Sequence, residues 1–224
     1  MAADEPLALL GGTFDPVHYG HLRLAEDVHR ALAPIEVRLV PARDPPHRGA
    51  PRASALHRLA MLRLAQEEFP DLVIDPREIE RPGKSFTVLT LEGLRAEMPA
   101  RPILLIIGAD QLLELPKWHQ WRSLFELAHL LVIARPGVPL AIDSLEPHLQ
   151  REWSRRYTRD VAALRNRPAG AIAMQPVRPQ PISATAIRAA LAEGRVDAVR
   201  GLLPSAVLAY IRSNRLYGPS PDAA

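Results

Sequence analysis

Along this chain of 224 residues, apolar positions group into short unbroken runs and longer stretches with helical spacing. The runs at 7–10 (LALL), 37–40, 72–74, 102–107 (PILLII), 129–134 and 171–175 have strand length and little charge, as buried parallel strands do. Helical spacing separates them. Gly20-His21 opens a segment with Leu22, Leu24, Ala25 and Val28 on one face. Ser54 is placed to cap a helix through Phe69 that carries Leu56, Leu59, Ala60, Leu62 and Leu64. Thr87 starts another, with Val88, Leu89, Leu91 and Leu94, and is itself a good capping residue. Residues 78–84 are polar and read as loop. Residues 123–128 read as a short helix, and 143–167 as a long helical stretch, with Leu145, Leu149, Trp153, Tyr157, Val161 and Leu164 at near-fourfold spacing. Ser183 or Thr185 can cap a helix bearing Ile187, Ala190 and Leu191, closed by Gly194. Residues 202–217 read as a terminal helix with Pro204 near its start. Alternating strands and helices predict an open, mostly parallel α/β sheet. No repeat or long linker divides the chain, so one domain over 1–218 is expected, its C-terminal helical part at about 183–217, with 219–224 as a disordered tail.

Composition narrows the chemistry. The chain has no cysteine, which excludes a disulfide framework, a thiolate metal site and a cysteine nucleophile. Its start, MAADEP, lacks the basic and apolar regions of a signal peptide, and its apolar runs are too short to span a bilayer. A cytoplasmic location without a membrane partner is the expectation. Net charge is +3, and Lys84 and Lys117 are the only lysines, so Arg dominates the basic set. Arg suits bidentate phosphate recognition. Acidic residues are interspersed throughout, which argues against a nucleic-acid track and for small anionic partners.

The densest candidate chemistry lies in GGTFDPVHYGH, residues 11–21. A strand, a glycine pair able to take positive φ, and then a helix start point backbone N–H groups at an anion. His18 and His21 stand three apart, on one face if the backbone is helical there. Such a pair is more often surface or core than catalytic, but its place directly after a buried strand favours a phosphate site. These residues resemble the H-x-G-H motif of the nucleotidyltransferase superfamily. As a whole the segment is similar to the nicotinate-mononucleotide adenylyltransferases, and ISATAIR at 182–188 resembles that family's second signature.

The resemblance implies a Rossmann-like fold of the adenylyltransferase type, an open sheet with helices on both faces. It implies an enzyme joining ATP to nicotinate mononucleotide, with His18, His21 and Arg188 catalytic. Gly11, Gly12, Thr13, Phe14, Gly20, Gly108, Asp110, Ser183, Thr185 and Arg188 would bind ATP. His47, Arg48, Thr87, Trp118, His119 and Asp110 would bind the pyridine mononucleotide, Trp118 by stacking and His119 through its backbone N–H. Trp121 reads as core, and Arg135, a lone Arg after a strand, is a weak candidate for phosphate. Mg²⁺ is expected to arrive with ATP, bound through substrate phosphates. Other readings are a sister enzyme using nicotinamide mononucleotide, phosphopantetheine or glycerol phosphate, an RNA-linked H-x-G-H protein, and a metal-dependent hydrolase on His18, His21 and Asp15.

Overall fold

The computed structural model describes residues 5–46, 49–134, 140–178 and 180–218. In chain order it contains β1 (Leu7–Gly12), α1 (Tyr19–Ala31), β2 (Glu36–Pro41), α2 (Ala55–Gln66), β3 (Leu72–Ile74), α3 (Arg77–Glu80), α4 (Thr87–Glu97) and β4 (Ile103–Gly108). There follow α5 (Ala109–Glu114), α6 (Leu124–Leu127), β5 (His129–Ala134), α7 (Pro147–Arg156), β6 (Tyr157–Thr158), β7 (Ile172–Pro176), α8 (Ala184–Ala192) and α9 (Ser205–Ser213), with short 3₁₀ turns between. The strands form one seven-stranded sheet in the order β3-β2-β1-β4-β5-β7-β6, parallel at every pairing.

The unbroken apolar runs are explained by burial on both faces. Ala8, Leu10, Leu104 and Ile106 point into one core layer, with Leu22, Val28, Met61, Leu62, Ile187 and Ile211 from α1, α2, α8 and α9. Leu7, Leu9, Ile103, Leu105 and Ile107 point into the other, with Leu91, Leu94, Phe125, Leu149 and Trp153 from α4, α6 and α7. A period of two along each strand thus feeds two layers of helices. Trp121 is buried in the second layer, as the sequence implies.

Several local expectations are corrected. Gly11 and Gly12 are not a positive-φ turn: they complete β1, opposite Val40 and Pro41, and the left-handed residue is Phe14, φ 50°. Residues 78–84 are not all loop, because α3 turns Glu78 inward, where it is buried. Thr87 is not a cap; Phe86 holds the N-cap position and Thr87 is the first helical residue. α2 stops at Gln66, short of Phe69, and faces the core with Arg58, Met61, Leu62 and Ala65, so Leu56 is left 72% exposed.

The long helix expected over 143–167 breaks after Arg156. Tyr157-Thr158 pair with Ile172-Ala173 at the sheet edge, and Asp160 Oδ1 accepts from the N–H groups of Ala162 and Ala163 to begin a separate 3₁₀ turn. Edge pairing of two β-prone residues overrides the apolar spacing. At the C-terminus α9 ends at Ser213, and 214–217 form turns. Ser183 is the cap of α8, accepting from Ala186 N at 3.5 Å, and Gly194 follows that helix at φ 72°. The candidates His47, Arg48 and Arg135, and the expected tail 219–224, lie outside the described residues.

Candidate active site

From β1 the chain moves to β2 and β3 on one side of the sheet, then returns to place β4 on the other side of β1. Between β1 and β4 the winding reverses, and at such a point the carboxyl ends of adjacent strands leave a crevice. A cavity of about 820 Å³ opens there. Gly11, Gly12, Thr13 and Phe14 line it from β1, Gly108 and Asp110 from β4 and α5, His21 from α1, and Thr185 and Arg188 from α8. Thr87, Trp118 and His119 line it as well. His18, Gly20 and Ser183 do not line it: His18 is buried beside His21, and Ser183 is exposed at the start of α8.

Glycine has a steric reason at three positions. A Cβ on Gly12 would come within 2.9 Å of the Phe14 ring, and one on Gly108 would fall 2.5 Å from Asp110 Oδ1. A Cβ on Gly20 would meet His18 Nδ1 at 2.8 Å. Gly11 differs, since its Cβ would meet no atom within 4 Å; a side chain there would project where a ligand can approach the backbone.

His18 is the N-cap of α1 in extended conformation, 5% exposed, and its carbonyl accepts from His21 N at 2.9 Å. The two imidazoles stack with centroids 3.8 Å apart, and the Phe14 ring meets His21 edge-on at 5.0 Å. Desolvation lowers the His18 pKa to about 4, so its ring is neutral at physiological pH. Its Nδ1 is buried without a hydrogen-bond partner among the described residues. One α1 amide expected to face an anion is already engaged, Tyr19 N donating to Leu202 O at 3.0 Å.

Arg188 joins the two signatures. Its Nη1 donates to the main-chain oxygen of Asp15 at 2.6 Å and its Nη2 to Thr185 Oγ1 at 3.2 Å. The turn after β1 is held by Arg58, a buried guanidinium donating to the carbonyls of Thr13, Ala42, Arg43 and Ala53 at 2.6–3.2 Å. On the other wall, Thr87 opens α4, whose first N–H groups have no intrahelical acceptor. The half-buried Trp118 flanks it, and the His119 imidazole leans on the Phe86 ring at 4.4 Å.

Sequence reasoning missed three participants. Glu78 lines the cavity, accepts from Thr90 Oγ1 at 2.6 Å, and burial pushes its carboxyl pKa up. Ser85 Oγ accepts from Arg43 N at 2.8 Å and its N–H donates to Asp44 O, which ties the segment after β2 to the start of α4. Tyr217 donates to Asp15 Oδ1 at 2.6 Å. Glu78 stands in a charged run and Tyr217 near the terminus, where residue type alone carries no signal of burial.

Residues 9–190 match the cytidylyltransferase-like family. The chain is 49% identical over 212 residues to a protein of Halorhodospira halophila and 47% identical over 214 residues to one of Dechloromonas aromatica; each is named "Probable nicotinate-nucleotide adenylyltransferase". These alignments cover 95% of this chain in both cases, and 95% and 98% of the relatives. Among solved structures it resembles a Plasmodium falciparum nicotinic acid mononucleotide adenylyltransferase complexed with NaAD, TM-score 0.70 at 14% identity, covering 95% of this chain and 97% of that one. At that identity the likeness shows the fold.

Proposed function

The chain belongs to the cytidylyltransferase-like family and, within it, to the nicotinate-nucleotide adenylyltransferases, and on that premise we propose how its residues share the work. The reaction is adenylyl transfer from ATP to nicotinate mononucleotide. A phosphate oxygen of the mononucleotide attacks the α-phosphorus of ATP, the bond from that phosphorus to the α,β-bridging oxygen breaks, and pyrophosphate leaves as deamido-NAD forms. Such a transfer needs positioning and charge neutralisation rather than a covalent intermediate.

One observation carries the assignment: His21 and Arg188, from opposite ends of the sequence, line the same cavity over the carboxyl ends of β1 and β4. Arg188 and Thr185, at the α8 end that Ser183 caps, would hold the departing β,γ-phosphates. His21 donates to the α-phosphate region as charge develops there. His18, whose ring stacks on His21, is assigned with it to the ATP phosphates. Gly11 to Phe14 admit the nucleotide against their backbone, Gly20 makes room for the His18 ring, and Asp110 beside Gly108 suits ribose hydroxyls. The pyridine ring goes to Trp118, its carboxylate to the N–H groups at Thr87 and His119. His47 and Arg48 stay candidates for the mononucleotide phosphate.

Among the described residues, no group of three or more His, Asp or Glu side chains is placed to hold a metal ion. Magnesium would enter with ATP, bound through the substrate phosphates, where it would offset their charge. A hydrolase centred on His18, His21 and Asp15 fits poorly, since the Asp15 carboxylate already accepts from Arg52 N, Ala53 N and the Tyr217 hydroxyl. No helix among the described residues is long and apolar enough to cross a membrane.

The deciding measurement compares kcat/KM for nicotinate and nicotinamide mononucleotides with ATP. The expected outcome is a preference for the acid of about 100-fold or more, since backbone donors at Thr87 and His119 would be left facing an amide. Equal rates would remove the acceptor assignment, and no dinucleotide from either would remove the reaction.

A further inference from the structure

We propose that the C-terminal turn after α9 is a latch on the triphosphate side of the cavity, with Tyr217 as a positioning residue for adenylyl transfer; this rests on the reaction assigned above. Tyr217 is not on the cavity wall. Its hydroxyl donates at 2.6 Å to Oδ1 of Asp15, which is 5% exposed and does line the cavity. Asp15 is where four parts of the chain meet. Its carboxylate also accepts from Arg52 N at 2.7 Å and Ala53 N at 3.1 Å, fixing the segment before α2. Its main-chain oxygen accepts from Arg188 Nη1 at 2.6 Å. The same residue therefore orients the Gly-rich turn on one side and the guanidinium meant for the leaving phosphates on the other.

The backbone gives independent support. Arg215 and Tyr217 adopt φ of 51° and 59°, a left-handed conformation that residues with a Cβ rarely take. Two such residues within three positions persist only where surrounding contacts determine them, and such strain concentrates at functional sites. The contacts are present: Leu216 and Tyr217 pack on the core layer formed with α8 and α9, and Leu216 N donates to Ile211 O at 2.9 Å. Burial and the adjacent Asp15 push the phenol pKa up, so it stays a donor across the working pH range. Without that donor, Asp15 Oδ1 keeps only the Ala53 amide of these partners, and the turn carrying Phe14 and the Arg188 anchor can shift. A displacement too small to unfold the protein is enough to misplace a phosphate.

The test uses the full-length enzyme and steady-state kinetics with both substrates varied. Tyr217→Phe keeps the ring and removes the donor. Its expected effect is a loss in kcat of about tenfold, the scale of one charge-assisted hydrogen bond, with KM for nicotinate mononucleotide within about twofold of wild type. Tyr210→Phe, which removes a hydroxyl bonded to His57 Nδ1 where α9 meets α2, is expected to leave kcat unchanged. If Tyr217 acts through Asp15 and Arg188, then Tyr217→Phe adds less than about twofold to the loss in Arg188→Lys. Wild-type kcat in Tyr217→Phe, or losses that multiply in the double variant, would overturn the proposal. So would a fall in Tm above about 10 °C in Tyr217→Phe, since the phenol would then be a structural support. Wild-type enzyme assayed alongside separates these results from failure of the reaction itself.

Discussion

His18 shows how residue type and environment combine. Burial holds its imidazole neutral, with a pKa of about 4 against an ordinary 6.5. The folded state therefore binds that proton more weakly than the unfolded chain does. The resulting stabilisation is full above pH 6.5 and is lost as pH falls from 6.5 through 4. The gap corresponds to roughly 3 kcal/mol. Urea unfolding of wild type and His18→Gln at pH 7 and pH 4 checks this: wild type should lose about that much more stability on acidification than the variant. An equal loss in the two would mean that His18 titrates normally. The neutral ring is packed against the His21 ring, stacked at 3.8 Å, which keeps water from it.

At the scale of elements, the junction of β1 and α1 shows what each glycine supplies. The expected positive-φ turn at Gly11-Gly12 proved to be strand, and the left-handed residue is Phe14, whose ring covers Gly12. Glycine is needed there for close approach rather than for a special dihedral. At the start of α1 the same holds for Gly20. Gly20→Ala would drive a methyl to within 2.8 Å of His18 Nδ1, and the ring must leave its stack with His21. Alanine favours the helix by up to about 1 kcal/mol, which offsets part of the cost of displacing the buried His18 ring, so Tm should fall by only a few degrees. Activity should fall by about 100-fold, the scale of one lost transition-state donor. Circular dichroism melts and initial rates on the same preparation measure both, and unchanged activity would remove His18 from the site. The motif GGTFDPVHYGH thus stands out as a candidate site from residue order, but the steric use of each glycine does not. It depends on where side chains two residues away fold back. The helix expected over 143–167 failed for a related reason: apolar spacing reports which side is buried, and a 3₁₀ turn after an edge strand can bury Leu164 as well as a helix would.

Across the whole molecule, the two signatures close on one another through Arg188 and Asp15, which lie 173 residues apart in sequence. A ligand that spans this closure should stabilise the fold by mass action. ATP at about 100 times its Kd is expected to add roughly 2.7 kcal/mol, a rise in Tm of about 5–10 °C. In Arg188→Ala the ATP-induced rise should shrink to less than half at the same concentration. The rise produced by nicotinate mononucleotide should remain, because Thr87 and Trp118 stand on the other wall. Thermal scans with each ligand alone distinguish the two, and equal loss of both shifts would place Arg188 in general support of the cavity.

The sequence by itself determined the alternation of strands and helices, the doubly covered parallel sheet and the two motifs that resemble the family signatures. These are local patterns: a period of two or 3.6, a cap, a motif written in consecutive residues. It also marked Trp118 and Thr87, which the fold brings to the same cavity. The tertiary structure alone decided that Glu78 turns inward, that Arg58 is buried under the turn after β1, and that Tyr217 reaches Asp15 across 202 residues. Such contacts are set by the order in which strands are laid into the sheet, which brings distant segments to one edge. A polar residue in a charged run or near a terminus looks the same in sequence whether that topology buries it or leaves it in water.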